Sequence, residues 1–333
     1  ANEGDHFLVR YHPKTPFFQD RKRKQRKGKD ERGRSFVEKW GYLGSPNNKR
    51  RRYVRMICVE RPGEKPLILV TDLLDADAYP AELLAILERS LGDGIEVFLE
   101  GSNKAAPVGV WESDPIAATI DGIPGARYLE RGEDPFSITG GVVIDPASAA
   151  VALAVEARAG DRVADVAAAP GGKTAILAHA TGEQGMVVAS DIHGRRVQTA
   201  RKRLPSVSWL RADGRMPPFQ PGSFDRVLLD APCTGLGTLR RRPEIRFRVD
   251  SAAPERYGRL QRELLESAMR LVRPGGRLVY SVCTVTRQET TDVVQGLGFK
   301  PPDGVPGDRV GDGVMLAPHT TGTDGMFIAV LEA

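Results

Sequence analysis

The fold of this chain is decided by one stretch, Arg162-Val163-Ala164-Asp165-Val166-Ala167-Ala168-Ala169-Pro170-Gly171-Gly172-Lys173-Thr174. Residues 162–167 form a short, largely apolar run that predicts a buried strand, and residues 173–180 predict a helix. The Gly-Gly turn between them allows a ligand to approach the backbone closely at the N-terminus of that helix. The stretch therefore predicts a strand, a ligand-binding loop and a helix in succession.

The same strand–helix alternation continues to the end of the chain. Helices are predicted over 145–157, 173–180, 195–204 and 257–272, and strands over 162–167, 185–191, 207–212, 225–230, 277–283 and 327–331. Such alternation predicts an α/β fold with a doubly wound, mostly parallel sheet that is covered on both faces. We expect this domain over 142–333, a connector with short strands over 98–141, and a basic N-terminal segment over 1–97.

The overall composition fits a globular protein. The chain has 333 residues, is 41% hydrophobic and contains 36 glycines. No apolar run is long enough for a membrane span, and residues 1–5 lack the apolar core of a signal peptide. Three cysteines, an odd number, argue against a disulfide framework, and no Cys/His spacing predicts a metal site. We therefore expect a cytoplasmic protein without a membrane partner; a monomer is expected, although the sequence leaves the oligomeric state open.

Positive charge is concentrated at the N-terminal end. Residues 1–62 hold 18 Lys and Arg against 7 Asp and Glu, whereas the whole chain has a net charge of only +5. The basic runs 21–27 and 49–52 suit contacts with phosphates, or belong to a solvated arm, and the sequence leaves both readings open. We expect irregular structure over 1–34, strands over 52–59 and 67–71, and a helix over 80–91.

The loop after the first strand excludes two common nucleotide sites. A phosphate-binding P-loop requires glycine where Ala167 stands, and the dinucleotide-binding glycine fingerprint is absent. Three acidic residues instead follow strand ends, namely Asp191, Asp213 and Asp230. An acid after the second strand suits a ribose diol, and we expect the acid after the third to suit an adenine amine. Each acid alone is typical of a helix cap or a turn, but together they indicate adenosine without a phosphate cradle, which points to S-adenosyl-L-methionine.

Two of the three cysteines follow the ends of strands. Cys233 follows the strand at 225–230 and Cys283 ends the strand at 277–283, which is where open α/β sheets place their chemistry. Cys58 lies within the apolar strand at 52–59, so we expect it to be a buried core thiol. The two strand-end cysteines are therefore the candidate reactive groups.

Residues 140–333 resemble the NOP/Sun (RsmB-type) RNA cytosine-5 methyltransferases. The matching segments occur in the family's order: Val143-Ile144-Asp145-Pro146-Ala147-Ser148, the loop at 168–173, Asp191, Asp213-Gly214-Arg215, Asp230-Ala231-Pro232-Cys233-Thr234-Gly235, Gln261 with Leu264-Leu265, Tyr280-Ser281-Val282-Cys283, and the tail at 318–325. Val282 departs from the pattern, since the family usually has Thr there, and we expect this change to tune the activity without abolishing it.

The resemblance implies a class I, Rossmann-like methyltransferase that uses S-adenosyl-L-methionine. It implies that Cys283 is the nucleophile at carbon 6 of cytosine and that Cys233 assists release of the product. Asp230 would hydrogen-bond the base, and Lys173 would order the site or favour the thiolate. The implied cofactor-binding residues are Ala167, Ala168, Ala169, Pro170, Gly171, Gly172, Lys173, Asp191, Arg196, Asp213 and Asp230. The implied partner is RNA, with ribosomal RNA expected first and transfer RNA as the alternative.

Residues 10–98 resemble a fragment of an insertion-sequence DDE transposase. The resembling stretches are Arg10-Tyr11-His12-Pro13-Lys14-Thr15, Trp40-Gly41-Tyr42-Leu43-Gly44, Leu69-Val70-Thr71-Asp72-Leu73-Leu74-Asp75 and Ala78-Tyr79-Pro80-Ala81-Glu82. Gly94-Ile95-Glu96 could match the segment of the catalytic Glu, but an earlier pair of metal-binding Asp is missing, and the nuclease needs all three carboxylates. An alternative function is therefore a nucleic-acid-binding protein of transposase ancestry with an idle methyltransferase domain.

Overall fold

The computed structural model describes residues 8–10, 17–29, 35–43, 52–60, 67–71, 81–114, 119–130, 132–135, 138 and 140–333. The chain divides into two compact units. The first contains Ala1–Ala105 and Thr238–Ser251, and the second contains Ala106–Gly237 and Ala252–Ala333. Much of the transposase-like stretches at 10–15, 69–75 and 78–82, and most of the basic run at 49–52, lie outside the described residues.

The first unit contains an antiparallel sheet. Its strands are β1 (Leu8–Arg10), β2 (Phe17–Gln19), β3 (Arg26–Lys29), β4 (Ser35–Leu43), β5 (Arg52–Val59) and β6 (Leu67–Thr71). The order is β1-β6-β5-β4-β2, and β3 also pairs with β4. Helices α1 (Ala81–Leu91) and α2 (Ile95–Ser102) follow. The expected strands over 52–59 and 67–71 and the helix over 80–91 are confirmed within the described residues.

The expectation of irregular structure over 1–34 is wrong. Strands β1, β2 and β3 lie in this range, and β2 and β3 pair with the longer strand β4. Each is only three or four residues long, and β3 is charged and mostly exposed. Pairing with β4, and for β1 with β6, forms these strands, and a tertiary contact of that kind leaves no hydrophobic pattern in the sequence.

The second unit begins with two small elements. A three-stranded antiparallel sheet, in the order β8-β7-β9, consists of β7 (Gly109–Trp111), β8 (Ala126–Tyr128) and β9 (Val142–Val143). Helix α3 (Pro146–Ala154) follows, and the Asp145 carboxylate caps it by accepting a hydrogen bond from the Ala147 amide at 2.9 Å. Trp111 and Ala126 are buried in the same core cluster as α3. Part of the segment predicted as a connector therefore contributes to the core of this unit.

An eight-stranded sheet forms the centre of the second unit. Its strands are β10 (Arg162–Val166), β11 (Met186–Asp191), β12 (Ser208–Arg211), β13 (Phe224–Asp230), β14 (Val272–Val282), β15 (Asp308–Val310), β16 (Gly313–Leu316) and β17 (Met326–Glu332). The order is β12-β11-β10-β13-β14-β17-β16-β15. The first five strands are mutually parallel, and β15–β17 are antiparallel. The predicted α/β fold with a mostly parallel sheet is confirmed.

The helices that accompany this sheet are α4 (Gly172–Thr181), α5 (Gly194–Arg203), α6 (Ala253–Leu271) and the short α7 (Thr291–Val294). The chain leaves the sheet after β10 in one direction, through β11 and β12, and returns to the other side of β10 with β13. This reversal makes the carboxyl ends of β10 and β13 a topological switch point, where open α/β sheets bind ligands. Among the described helices, each is too short or too polar to cross a lipid bilayer.

Candidate active site

Two thiols face each other beyond the carboxyl ends of β13 and β14. These strands are parallel neighbours, and their register pairs Asp230 with Ser281. Cys233 lies three residues after Asp230 and Cys283 lies two residues after Ser281, and their sulfur atoms are 3.4 Å apart. Both side chains are half-buried. The structure thus brings together the two cysteines that the sequence singled out.

The surroundings of the Cys233 thiol favour its protonated form. The hydrogen bond with Cys283, together with burial, raises the pKa of the Cys233 thiol well above its ordinary value. The charges of Glu289 and Asp230 act in the same direction. Cys233 is therefore a protonated thiol at neutral pH, able to donate a hydrogen bond to the Cys283 sulfur.

Asp230 is held between a cation and a hydroxyl. Its Oδ2 atom accepts a hydrogen bond from Lys173 Nζ at 2.7 Å, and its Oδ1 atom accepts one from Ser281 Oγ at 2.8 Å. Lys173 Nζ also lies 3.4 Å from Ser148 Oγ. Burial alone would lower the pKa of Lys173, but the charge of Asp230 and the hydrogen bond to it raise this pKa, with a further contribution from Cys283. A carboxylate has about four acceptor positions, so Asp230 can still accept hydrogen bonds from a ligand.

The loop after β10 is folded tightly against its neighbours. Ala167 adopts a left-handed conformation with φ of 65°, and Gly171 has φ of 101° at the start of α4. A Cβ atom at Gly171 would lie 3.1 Å from the Trp209 ring and 3.2 Å from Leu204. Glycine is therefore required there both for its conformation and for its size.

Asp191 fixes this loop from the next strand. Its Oδ2 atom accepts a hydrogen bond from the Ala169 amide at 3.2 Å, and its Oδ1 atom accepts one from the His193 amide at 2.8 Å. Arg196 lies 3.7 Å from the same carboxylate and donates a hydrogen bond to the Ala169 carbonyl. Asp191, Arg196 and residues 167–172, which the sequence proposed as one binding site, thus form one hydrogen-bonded group.

Asp213 lies farther along the same edge, two residues beyond the end of β12. The Arg215 guanidinium donates to both of its carboxylate oxygens, the shortest distance being 2.7 Å to Oδ2. This side-chain bond and the bond from the Arg215 amide lower the pKa of Asp213. The structure therefore keeps Asp213 ionised, one strand beyond Asp191.

The sequence did not single out Asp165 for a role, although it is the next-to-last residue of β10, the first strand of the switch point. Its side chain is 1% exposed, and Oδ2 accepts a hydrogen bond from Thr174 Oγ1 at 2.6 Å, whereas the buried Oδ1 has no partner among the described residues. Burial raises the pKa of Asp165 to about 7, against the effect of the Thr174 hydrogen bond. Its position near the carboxyl end of a predicted strand was the signal that could have indicated it.

Glu289 was also missed. It is fully buried, and its Oε1 atom accepts a hydrogen bond from the Thr234 amide at 2.8 Å. Its Oε2 atom accepts hydrogen bonds from Thr234 Oγ1 at 2.7 Å and Thr286 Oγ1 at 2.6 Å. A single acid between polar residues carries no sequence signal for such a network.

Cys58 differs from its prediction. It lies on β5 of the first unit and is half-buried, not fully buried. Burial is still the main cause that raises its pKa. Cys58 is the next-to-last residue of β5, which pairs with β4 and β6 on its two sides. Within the described part of the chain, no three potential metal ligands cluster together.

The residues at this edge fit S-adenosyl-L-methionine. The Asp191 carboxylate keeps acceptor positions for the two hydroxyls of a ribose, because each of its oxygens carries one backbone hydrogen bond. The compact loop 167–172 opens helix α4, whose N-terminus favours a carboxylate. The Asp191 carboxylate and the N-terminus of α4 thus match the ribose and the amino-acid carboxylate of this cofactor. This site lies at the same edge of the sheet as the two thiols.

Comparison with known proteins agrees with this reading. The family model for 16S rRNA methyltransferase RsmB/F matches residues 152–332. Ribosomal RNA small subunit methyltransferase B of Thermus thermophilus is 37% identical over 251 residues, which cover 72% of this chain and 62% of that protein. The Vibrio cholerae protein of the same name is 37% identical over 293 residues, covering 78% of this chain and 66% of that one. The chain therefore spans less than two-thirds of the length of these relatives.

Solved structures give the same result. The crystal structure of PH0851 superposes with a TM-score of 0.69 at 28% identity, covering 76% of this chain and 66% of that one. NSun6 from Pyrococcus horikoshii, solved with SFG, superposes with a TM-score of 0.54 at 29% identity, covering 63% of this chain and 57% of that one. The transposase resemblance of residues 10–98 finds no support in these comparisons. The match over 152–332 shows that the chain belongs to the RsmB/F family of methyltransferases.

Proposed function

We propose that this protein transfers a methyl group from S-adenosyl-L-methionine to carbon 5 of a cytosine in RNA, with ribosomal RNA as the substrate. The observation that carries the proposal is the pair of thiols 3.4 Å apart beside the Lys173–Asp230 ion pair. Membership of the RsmB/F family supports the ribosomal substrate.

The chemistry requires a nucleophile, because carbon 5 of cytosine attacks a methyl donor poorly. Addition of the Cys283 thiolate to carbon 6 turns the ring into an enamine and activates carbon 5. Lys173 supplies positive charge in this part of the site, where it pairs with Asp230. The bound S-adenosyl-L-methionine supplies the electrophilic methyl group.

The two thiols divide the work. After methylation, carbon 5 loses its proton, the double bond between carbons 5 and 6 re-forms, and the electron pair of the carbon–sulfur bond returns to Cys283. Cys233 remains a thiol because its pKa is raised, so it donates a hydrogen bond to the departing Cys283 sulfur at 3.4 Å. This bond stabilises the thiolate as it leaves.

Asp230 orients the base. Its carboxylate accepts hydrogen bonds from Lys173 and Ser281 on one side and keeps acceptor positions for the ring N–H and the exocyclic amine of the adduct. The loop 167–172, Asp191, Arg196 and Asp213 are assigned to the cofactor. Held from two sides, Asp230 is positioned before the base arrives, which favours the transition state.

The target base must leave its stack to reach this pocket, so single-stranded or loop regions of RNA are the expected substrates. The basic run 21–27 is exposed, and its positive charges suit contacts with the phosphates of the RNA backbone. Such a substrate agrees with the cytoplasmic location expected from the sequence.

A direct assay tests the proposal. The full chain is incubated with methyl-labelled S-adenosyl-L-methionine and with ribosomal or transfer RNA that lacks the modification, and the digested nucleosides are identified by mass spectrometry. Labelled 5-methylcytidine from ribosomal RNA is the expected product. If only transfer RNA were labelled, transfer RNA would take the place of ribosomal RNA as the proposed substrate. If no nucleoside were labelled, the result would favour the alternative of an idle methyltransferase domain.

A further inference from the structure

Glu289 connects the two loops that carry the thiols. Its Oε1 atom binds the Thr234 amide, which immediately follows Cys233, at 2.8 Å. Its Oε2 atom accepts hydrogen bonds from Thr284 Oγ1, which immediately follows Cys283, at 3.2 Å and from Thr286 Oγ1 at 2.6 Å. One carboxylate therefore contacts the neighbour of each cysteine.

Further bonds close this network. Thr234 Oγ1 lies 2.7 Å from Glu289 Oε2 and 2.8 Å from Thr284 Oγ1, so the two loops are also joined directly. Gln261 Nε2, on α6, donates to the Pro232 carbonyl at 2.8 Å and to Glu289 Oε1 at 3.3 Å. The loop of Cys233 is thus fixed at the residues on both sides of the thiol.

The surroundings of Glu289 suit a carboxylate. Five donor groups lie within hydrogen-bond distance of its two oxygens: the Thr234 amide, the Gln261 amide nitrogen and the hydroxyls of Thr234, Thr284 and Thr286. The side chain is fully buried, and burial raises the pKa of Glu289 above its ordinary value, although the Thr234 and Thr286 bonds act to lower it. A buried carboxylate is costly unless it is fully hydrogen-bonded, so this arrangement is a built feature of the site.

We propose that Glu289 is a positioning residue that holds the Cys233 thiol against the Cys283 sulfur and thereby sets the rate of product release. The inference rests on the proposed function, because it concerns the step in which the carbon 6–sulfur bond breaks. In that step the carbon 5 proton passes to solvent, its electron pair re-forms the ring double bond, and the pair of the carbon–sulfur bond returns to Cys283. Glu289 does not touch the base; it acts through the placement of Cys233.

The inference separates Glu289 from a purely structural residue. If the Cys233 thiol moves away from the Cys283 sulfur, addition and methylation still occur but the adduct is released slowly. A structural defect would instead lower the amount of active protein, and the covalent adduct would fall with it. The fraction of protein in covalent adduct is therefore the informative readout.

The test uses the full chain with the substitution Glu289→Gln, which keeps the shape of the side chain and removes its charge. Thr290→Val is the matched control, because Thr290 is 2% exposed in the same turn and its hydroxyl donates to the Thr286 carbonyl at 2.8 Å rather than to the carboxylate. Turnover, the KM for RNA, the melting temperature and the denaturation-resistant protein–RNA adduct are measured for each protein.

Glu289→Gln is expected to lower kcat by about 10-fold to 100-fold, since a misplaced catalytic group costs up to about 100-fold. The KM for RNA should stay near the wild-type value and the adduct fraction should rise, whereas Thr290→Val should leave all three close to wild type. If Glu289→Gln does not fold, Thr234→Val, which removes the 2.7 Å bond to the carboxylate, should show the same adduct increase.

A wild-type kcat for the Glu289 variant, or a reduced kcat without any rise in adduct, would overturn the inference while leaving the proposed function intact. Equal losses in Glu289→Gln and Thr290→Val would assign the network to structure alone. A wild-type protein that forms no 5-methylcytidine would instead overturn the proposed function itself.

Discussion

The sulfur atoms of Cys233 and Cys283 lie 3.4 Å apart, although 50 residues separate them in the chain. The contact follows from the sheet, because β13 and β14 are parallel neighbours whose register pairs Asp230 with Ser281. Because the two strands end side by side, the two thiols that follow them lie close together. The fold therefore produces the pair, and the roles proposed for the two thiols are tested below.

Ser281→Ala should weaken catalysis by removing one of the two groups that hold Asp230. The lost hydrogen bond at 2.8 Å is of the kind worth about 1–3 kcal/mol when one partner is charged. We expect kcat to fall by about 10-fold, measured in steady-state assays. Thr181→Val, which removes a buried hydroxyl at the far end of α4, is the control. An unchanged kcat for Ser281→Ala would show that Lys173 alone fixes the carboxylate.

Asp165→Asn should change how stability depends on pH. The folded-state pKa of Asp165 is raised to about 7, so its favourable contribution is present below the unfolded pKa and is lost as pH rises through about 7. Asn does not ionise, so the variant does not lose stability in this way as the pH rises. Relative to wild type, the unfolding free energy of the variant should rise by about 3 kcal/mol between pH 5 and pH 8, measured by urea denaturation.

Asp225→Asn provides the control for that experiment. Burial alone would raise the pKa of Asp225, but hydrogen bonds from Arg273 and from the Arg162 amide lower it. The stability that Asp225 contributes is therefore lost only in acid, below the pH range tested. The difference in unfolding free energy between Asp225→Asn and wild type should be constant from pH 5 to pH 8. A constant difference for Asp165→Asn as well would contradict a raised pKa at Asp165.

Asp191→Asn should weaken cofactor binding. The Asn side chain keeps one acceptor oxygen, so the Ala169 amide, the His193 amide and a ribose can no longer all be satisfied. We expect the Kd for S-adenosyl-L-methionine, measured by calorimetry, to rise by about 10-fold to 100-fold, as for loss of a charged hydrogen bond. Asp161→Asn, before β10 at the other end of the strand, should bind normally. Normal binding by Asp191→Asn would remove Asp191 from the cofactor site.

The exposed basic run should contribute to RNA affinity in a salt-dependent way. Replacing Arg21, Lys22, Lys24 and Lys27 by Gln removes four exposed positive charges. If all four contact phosphates, the slope of log affinity against log salt should fall by up to about 3, since each contact to a single strand contributes about 0.7. Filter-binding titrations at several salt concentrations measure this. An unchanged slope would make the run a solvated arm.

The sequence predicted much of the second unit, because its strands and helices have the periodicity that their burial requires. Strands β10, β11, β13 and β14 lie within a few residues of the predicted ranges, except that β14 begins earlier, at Val272. The short strands β15 and β16 were missed, since three or four residues are too few for a pattern. The strand-end positions of the two cysteines were enough to single out both as candidate reactive groups.

The supporting residues were less predictable. Ser281 could have been found, because it faces Asp230 across two predicted neighbouring strands. Glu289 could not, because its hydrogen bond to the Thr234 amide joins residues 55 positions apart through loops without a regular pattern. The strands in residues 8–29 escaped prediction for a related reason: their pairing with β4 and β6, and not their own composition, creates them.

The division of roles between the thiols is tested most directly by comparing Cys233→Ala with Cys283→Ala. Each full-length variant is incubated with S-adenosyl-L-methionine and substrate RNA and then resolved on a denaturing gel. Cys233→Ala is expected to accumulate a covalent protein–RNA adduct that contains the transferred methyl group, and Cys283→Ala is expected to form neither adduct nor 5-methylcytidine. An adduct in Cys283→Ala but not in Cys233→Ala would contradict the account and reverse the two roles.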